Sequence, residues 1–365
     1  MKKIFGLLLI VLVISLSLFA LTFWGPKLLP LLMNKPIQPQ TQQPQVLTQE
    51  TQISTQETQQ IDPVLFREQE ENKKRLTVGC LTGVDCIQSV DQPKFVSAKQ
   101  ATKFLKDDDL VVGVDFEGWE KEDDPVKAYP VRILNWHEVV NDFLNESPIV
   151  VTYCPLCNSA AVYERMVDGD VLEFGVSGSL LNNNVVLHDR LTETLWTQLQ
   201  GNSLVGKLYP KKLVQVPSVV MTWKNWRESH PGTVVLSEDT GFEHDYTVSP
   251  YVDYADSPRI EFPVEHSDTR LVNKEQVYGV QMYDQSKAYP LSSLKKSFPE
   301  GGEFEDSVGG HPVKITYGGG KFTVEDLVFK KAVPVADTYW FCWVAMHERT
   351  ELLSADSLKK TVSVQ

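Results

Sequence analysis

The sequence predicts an α+β, β-rich domain made of two divergent related halves forming one compact extracytoplasmic unit, preceded by a transmembrane helix and a disordered stalk. Three observations predict it. The N-terminus carries an uncharged apolar run. A Gln- and Thr-rich tract follows it. The remainder repeats three short motifs in the same order, most of them within segments of strand character.

Ile4 to Trp24 carries no charge, close to the ~20 residues that cross a bilayer core. Lys2 and Lys3 precede it and Trp24 stands at an interfacial position. The positive-inside rule then places everything after it outside the cytoplasm. A cleaved signal peptide is the alternative, but "SLFA" ending at Ala20 is a poor small-residue site and the run is long for one. Asn34 to Pro63 has no apolar periodicity and cannot bury enough surface to offset its ordering entropy. As a flexible coil it spans on the order of 30 Å. The expected divisions are an anchor at 1–33, a linker at 34–63, a leading segment with Cys80 and Cys86 at 64–108, a first half at 109–260 and a second half at 261–365.

The formal net charge is -13 and no long basic run occurs, which argues against a nucleic-acid-binding surface. The expected partners are the membrane, through the N-terminal helix, and a small molecule, metal or protein of unknown identity. The expected location is the cell membrane, single-pass, with the C-terminal domain outside.

The repeats organise the rest. "DLVVGVDFEGWEKEDDPVKAYPVRIL" (Asp109–Leu134) and "EQVYGVQMYDQSKAYPLSSL" (Glu275–Leu294) share V-x-G-V and K-A-Y-P. "SPIVVTYCPLCNSAAVYE" is matched by "HPVKITYGGGKFTVED". "TWKNWRESHPGTVVLS" is matched, without a gap, by "YWFCWVAMHERTELLS". This aligns Trp223 with Trp340, Trp226 with Trp343, His230 with His347 and Thr233 with Thr350. Where the first copy has Cys-Pro-Leu-Cys, the second has Gly318 to Gly320. Glycine keeps a tight turn there without thiols.

"LVVGV", "AYPVRI", "PIVVTYC", "AAVYERM", "VLEFGVSG", "NVVLHD", "KITYG" and "DLVFKKAV" read as strands. "DGD" at Asp168 to Asp170 reads as a hairpin turn. "NWHEVVNDFL" and "VVMTWKNWRESHP" have helical spacing, the second stopped by Pro231-Gly232.

Five cysteines follow the apolar run: Cys80, Cys86, Cys154, Cys157 and Cys342. Outside the cytoplasm disulfides persist, and an odd number leaves at least one unpaired, intermolecular or a ligand. A local disulfide is the plain reading of Cys80 and Cys86, and a buried free thiol that of Cys342. Cys154 and Cys157, spaced C-x-x-C, leave three uses open: a redox pair, a metal or cofactor site, or a structural disulfide. A β-hairpin after the pair counts against a thioredoxin-type helix. Thiolate with imidazole suits copper or zinc, so Cys154, Cys157 and His137 are the candidate metal set. His188 and Asp189 are candidates to set local protonation beside the cysteines. Ser177, Asn182, Asn184 and Arg190 are candidates to line a cofactor or ligand pocket. The same residues also suit turns and a hairpin ion pair. No G-x-S-x-G elbow, Walker loop, dinucleotide fingerprint or H-E-x-x-H occurs.

At "NWHEVVND", "PIVVTYCPLCNSAAVYER", "FGVSGSLLNNNVVLHDRLTETLWTQLQG" and "TWKNWRESHPGTVVLS" the chain resembles the prokaryotic family catalogued as domain of unknown function 3179. The resemblance runs from about Asp109 into the C-terminal region. It marks His137, Glu138, Asn141, Cys154, Pro155, Cys157, Ser177, Gly178, Asn182, Asn184, Asp189, Arg190, Trp196 and Trp223 as motif residues, with Asn158 standing where glycine is expected. It implies no particular activity. Two function classes remain: thiol–disulfide or thiol–metal chemistry at the C-x-x-C pair, or a non-catalytic envelope binding or interaction module with a structural disulfide.

Overall fold

Three antiparallel sheets and two mixed sheets, each of the mixed ones with a single parallel pair, assemble as a five-bladed β-propeller. The computed structural model describes residues 62–115 and 126–353. The anchor at 1–33 and nearly all of the linker at 34–63 lie outside those residues. No helix among the described residues is long and apolar enough to cross a membrane. The first described helix is Pro63–Arg75, opened by the Asp62 side chain, which accepts from the Val64 amide at 2.7 Å.

Blade 1 runs Val219–Thr222, Leu110–Val114, Lys127–Pro130, Val234–Leu236, with Phe95–Ser97 at its far edge. Blade 4 runs Val335–Tyr339, Gln276–Met282, Gln285–Pro290, Glu351–Leu352. The order is the same. In both, the K-A-Y-P strand has one antiparallel neighbour and one parallel neighbour. Blades 2 and 5 also share an order: Gln215–Val216, Ser159–Glu164, Ser147–Cys154, Val139–Leu144 against Lys331–Val333, Lys321–Asp326, His311–Gly318, Gly302–Val308. Blade 3 consists of Phe174–Leu181, Asn184–Asp189, Leu195–Thr197 and Ser203–Val205, which fall in sequence between the last two strands of blade 2, with the earlier strand Thr77–Val78 added at its edge. The matching strands of blade 5 are joined by a short turn instead.

The repeated motifs have physical reasons. In K-A-Y-P the lysine, joined in the first copy by the tyrosine, grips a carboxylate on the following blade. Lys127 Nζ donates to Asp142 Oδ2 and the Phe143 carbonyl, both at 2.7 Å, and Tyr129 OH donates to Asp142 at 2.6 Å. Lys287 Nζ lies 2.7 Å from Asp306 and donates to the Ser307 carbonyl at 3.2 Å. In V-x-G-V the glycine makes room for an indole. A Cβ at Gly113 would lie 2.1 Å from the Trp226 ring, and one at Gly279 would lie 2.3 Å from Trp343. Each indole donates to the matched threonine, Trp226 to Thr233 at 3.0 Å and Trp343 to Thr350 at 2.8 Å. His230 and His347 pack on these rings at 3.9 Å between centroids.

Three local readings are corrected. "AYPVRI" is not one strand: the strand ends at Pro130, and Val131–His137 is a helix burying Val131, Ile133, Leu134 and His137. Pro130, at φ -62, ends the ladder and enters the helix without strain. "NWHEVVNDFL" is helical only to His137. Glu138, at φ 57, closes that helix and Val139–Leu144 continues as a strand. Five of its six residues are buried, so the alternation that marks a half-exposed strand is absent. "VVMTWKNWRESHP" divides likewise into the strand Val219–Thr222 and the helix Trp223–Ser229, capped by Thr222 Oγ1.

Candidate functional site

The C-x-x-C turn connects two strands of blade 2, and its cysteines go separate ways. Asn158, at φ 47, supplies the left-handed position, which a glycine would adopt freely and asparagine tolerates. Cys157 is bonded to Cys342, 185 residues later, with Cα atoms 5.8 Å apart. The Cys157 carbonyl also accepts from the Tyr339 amide at 2.9 Å and the Thr338 hydroxyl at 3.1 Å. Cys342 is therefore not a free thiol, and Cys154 and Cys157 are not bonded to one another. The matched place in the other direction is a hydrogen bond: Asn225 Nδ2 donates to the Gly319 carbonyl at 2.7 Å. Asn225 aligns with Cys342, and Gly319 sits in the Gly-Gly-Gly turn.

Cys154 is 1 % exposed, and its thiol faces the Asn183 carbonyl at 3.6 Å. Burial pushes it up to about 12, so it holds almost no thiolate at neutral pH. His137 is fully buried. Its Nδ1 meets the Gln88 carbonyl at 2.7 Å and its Nε2 the Tyr246 hydroxyl at 2.6 Å, so both ring nitrogens are occupied. With Cys157 bonded as well, Cys154, Cys157 and His137 do not form a copper or zinc set. Among the described residues, no group of three or more His, Cys, Asp or Glu is gathered closely enough to hold a metal ion.

The polar residues of blade 3 each have a partner. The Ser177 hydroxyl donates to the Val186 carbonyl at 2.6 Å. Asn182 accepts from the Glu265 amide at 2.8 Å and donates to the Ala345 carbonyl at 3.2 Å. Asn184 donates to Gln198 Oε1 at 2.8 Å and accepts from the Leu199 amide at 3.1 Å. Asp189 is fully buried and accepts from Thr192 N, Thr192 Oγ1 and Trp196 Nε1 at 2.6, 2.8 and 3.0 Å. It organises its own turn. His188 and Arg190 point at the segment between Thr77–Val78 and Phe95–Ser97. His188 Nε2 lies 3.2 Å from Asp85 Oδ1. Arg190 bridges Asp85, Asp91 and the Ser89 hydroxyl at 3.2, 2.8 and 2.8 Å.

Thus the blade-3 motif clamps the segment Gly79–Asp91. That segment carries Cys80 and Cys86, which are unbonded thiols in the structure and not the expected local disulfide. The glycines of "FGVSG" are part of the clamp. A Cβ at Gly175 would lie 2.1 Å from Asp85 Oδ1, and one at Gly178, where φ is already +79, 2.6 Å from the Gly83 carbonyl.

Between this segment and the 250–262 loop lies a cavity of about 370 Å³. Its walls are mostly apolar and aromatic, with Leu156, Val176, Tyr254 and Phe262 among them, and the ion-paired Arg259 and Glu261 also line it. Glu138 is its buried carboxyl, 4 % exposed, accepting from the Tyr251 hydroxyl at 2.8 Å. Burial pushes Glu138 up to about 7 from its ordinary 4.5. Sequence reading placed Glu138 in a motif but gave it no chemistry. The signal available was its place at the end of a helix followed by a strand buried at all but one residue. Tyr251 carries no such signal.

A carboxyl raised on folding keeps its proton after the unfolded chain has released its own. Its stabilisation is whole below about pH 4.5 and is lost as the pH rises through about 7. Glu138→Gln is expected to remove roughly 3 kcal/mol of the stability difference between about pH 5 and about pH 8. Urea midpoints at the two pH values measure it. Equal slopes for the two proteins would refute the raised carboxyl. Asp337, also pushed up to about 7 by burial, contributes to both slopes alike.

A family model described as a protein of unknown function, DUF3179, matches residues 84–330. No curated protein and no solved structure matches the chain.

Proposed function

Since the chain belongs to the DUF3179 family of proteins of unknown function, we propose that it is a non-catalytic binding module of the cell envelope, tethered outside the membrane by its N-terminal segment. In this reading the Cys157–Cys342 disulfide is a staple, and the cavity above Glu138 receives the ligand. The observation that carries it is the cavity itself: mostly apolar and aromatic walls, with the Arg259–Glu261 ion pair also in the lining, around one buried carboxyl whose proton is held near neutral pH. Ligand sites are of this kind, concave and mostly apolar with few converging polar groups. An uncharged molecule with an apolar body and one hydrogen-bonding group fits. A persistent disulfide agrees with an oxidising compartment.

Two related halves, one carrying blade 3 as an insertion, belong to the same reading. They are supported by the shared strand orders, the paired Lys–Asp grips and the paired glycine–indole contacts. Thiol chemistry at the C-x-x-C pair has less support, because Cys157 is bonded and Cys154 is buried with a raised pKa.

The test uses the neutral fluorescent probe N-phenyl-1-naphthylamine. One equivalent is expected to bind the full-length chain, and Leu156→Trp, which fills the cavity, is expected to abolish binding without changing the fold by circular dichroism. Absence of saturable binding, or binding unchanged by the substitution, would overturn the cavity as the site. In a glutathione buffer, Cys157–Cys342 is expected to stay oxidised to below about -300 mV, as structural disulfides do. Opening at a more oxidising potential would overturn the staple.

A further inference from the structure

We propose that the cleft between blade 5 and blade 1 binds an extended acidic oligosaccharide, with Lys321 and Lys331 taking its carboxylates. This goes beyond the binding reading above. It uses a separate surface and needs no ligand in the cavity above Glu138.

The cleft follows from the unequal halves. In blade 5, Val313, Ile315, Phe322 and Val324 are buried and pack with blade 4. Lys314, Thr316, Thr323 and Glu325 alternate with them and stand on the other face. Ladder register matches these four to Val150, Thr152, Ala161 and Tyr163 of blade 2. In blade 2 that face is buried, and Val150, Ala161 and Tyr163 pack with Phe174 and Val176 of the inserted blade 3. Blade 5 carries no inserted blade, and the same face is polar. Apolar clusters join blade 1 to blade 2, blade 2 to blade 3 and blade 4 to blade 5. Among the described residues none joins blade 5 to blade 1. A cleft of about 900 Å³ lies there instead.

The charges in this cleft are unequal. Glu303 holds Lys314 at 2.7 Å and accepts from the Thr316 hydroxyl at 3.2 Å. Glu325 lies 4.0 Å from Lys330 Nζ. On the blade-1 side, Asp115 lies 3.0 Å from His230 Nε2. Every carboxylate in the described lining therefore has a partner. Lys321 and Lys331 line the same cleft, are exposed, and have no ion pair or side-chain hydrogen bond among the described residues. The spare charge is positive, on a chain whose net charge is -13, so the cleft attracts anions locally.

Spacing and chemistry give the ligand its class. Lys331 neighbours Asp326 in the ladder, five residues along the strand from Lys321. The two lysines are therefore roughly 17 Å apart, and a ligand that meets both is extended. Thr316 and Thr323 stand opposite one another between them. With the Lys314–Glu303 pair they offer donors and acceptors side by side. Sugar hydroxyls, which donate and accept at once, match that pattern. Val219 and Val333 in the lining suit the C–H faces of sugar rings. A peptide of equal charge would meet the lysines but leave the threonine hydroxyls unmatched. A saccharide bearing carboxylates meets both.

The experiment is calorimetric titration of the full-length chain with hexagalacturonate. Maltohexaose, with the same number of rings and no carboxylate, and hexaglutamate, with the same charge and no ring hydroxyls, are the comparisons. Saturable binding of one hexagalacturonate is expected, weakening as salt rises, with no saturable binding of the other two. Lys321→Glu with Lys331→Glu is expected to weaken binding more than about tenfold, because two charge-assisted contacts are lost. Both side chains are exposed, and circular dichroism checks that the fold is kept. The proposal is overturned if hexagalacturonate does not saturate, if hexaglutamate or maltohexaose binds as tightly, or if the double variant binds unchanged. Leu156→Trp is expected to leave hexagalacturonate binding intact, and the lysine variant to leave N-phenyl-1-naphthylamine binding intact, so each site can fail without the other.

Discussion

Cys342→Ser is expected to lower the free energy of unfolding by about 2–5 kcal/mol. The bridge joins positions 185 residues apart. In the chain-entropy account a loop of that size restricts the unfolded chain by about 5 kcal/mol, an upper figure. Both sulfurs are fully buried, within one apolar cluster that includes Phe341, Trp196 and Leu187. The native state therefore also gains packing at the bridge. Urea unfolding measures the effect, and dithiothreitol added to wild type should bring its midpoint to that of the variant. Cys154→Ser is the comparison, because its hydroxyl can still donate to the Asn183 carbonyl that the thiol now faces. A midpoint insensitive to reductant would show that the bridge does not constrain the unfolded chain.

The second large effect is expected at Asp142. Its carboxylate is 8 % exposed at the side chain and holds Lys127, itself 11 % exposed, at 2.7 Å. It also receives the Tyr129 hydroxyl. Asp142→Ala strands a buried ammonium and a buried phenol. Breaking such a pair from one side costs about 3–5 kcal/mol. Asp306→Ala should cost a similar amount, since it strands Lys287 in the matching place. The double change Lys127→Met with Asp142→Leu should recover most of the loss, because an apolar pair of similar volume removes the unpaired charge. Chemical denaturation of the four proteins tests this. A double variant as weak as Asp142→Ala would show that shape, and not charge, sets the cost.

Much of the scaffold could be read from local spacing. V-x-G-V, K-A-Y-P and the tryptophan–histidine–threonine series each encode contacts that recur with the same geometry. Their carboxylate partners, Asp142 and Asp306, could not be read, because nothing in "VVNDFL" or "EFEDSV" says which side chain meets a lysine on another blade. The same limit explains the cysteines. Spacing makes Cys154 the natural mate of Cys157, whereas packing between blades delivers Cys342. The polar run from Ser177 to Arg190 looked like a pocket lining. Most of it satisfies backbone groups of its own blade, as buried polar groups generally do. The parts that do reach outward are Asn182, which meets Glu265 and Ala345 far along the chain, and His188 and Arg190, which hold a segment about a hundred residues earlier; no periodicity operates at such distances.

The two matched clamps differ in kind. One joins Cys157 to Cys342 by a covalent bond, and the other joins Gly319 to Asn225 by a single exposed hydrogen bond. A closed ring of blades with one welded seam and one loose seam has a preferred place to breathe. Thermal opening is expected first at the Gly319 side, where the tie is an exposed hydrogen bond and not a covalent one. The blades joined through Cys157 stay in register while it happens. Reduction of the bridge would make the two seams more alike, so the order in which the ring parts is expected to depend on the redox state of one buried bond.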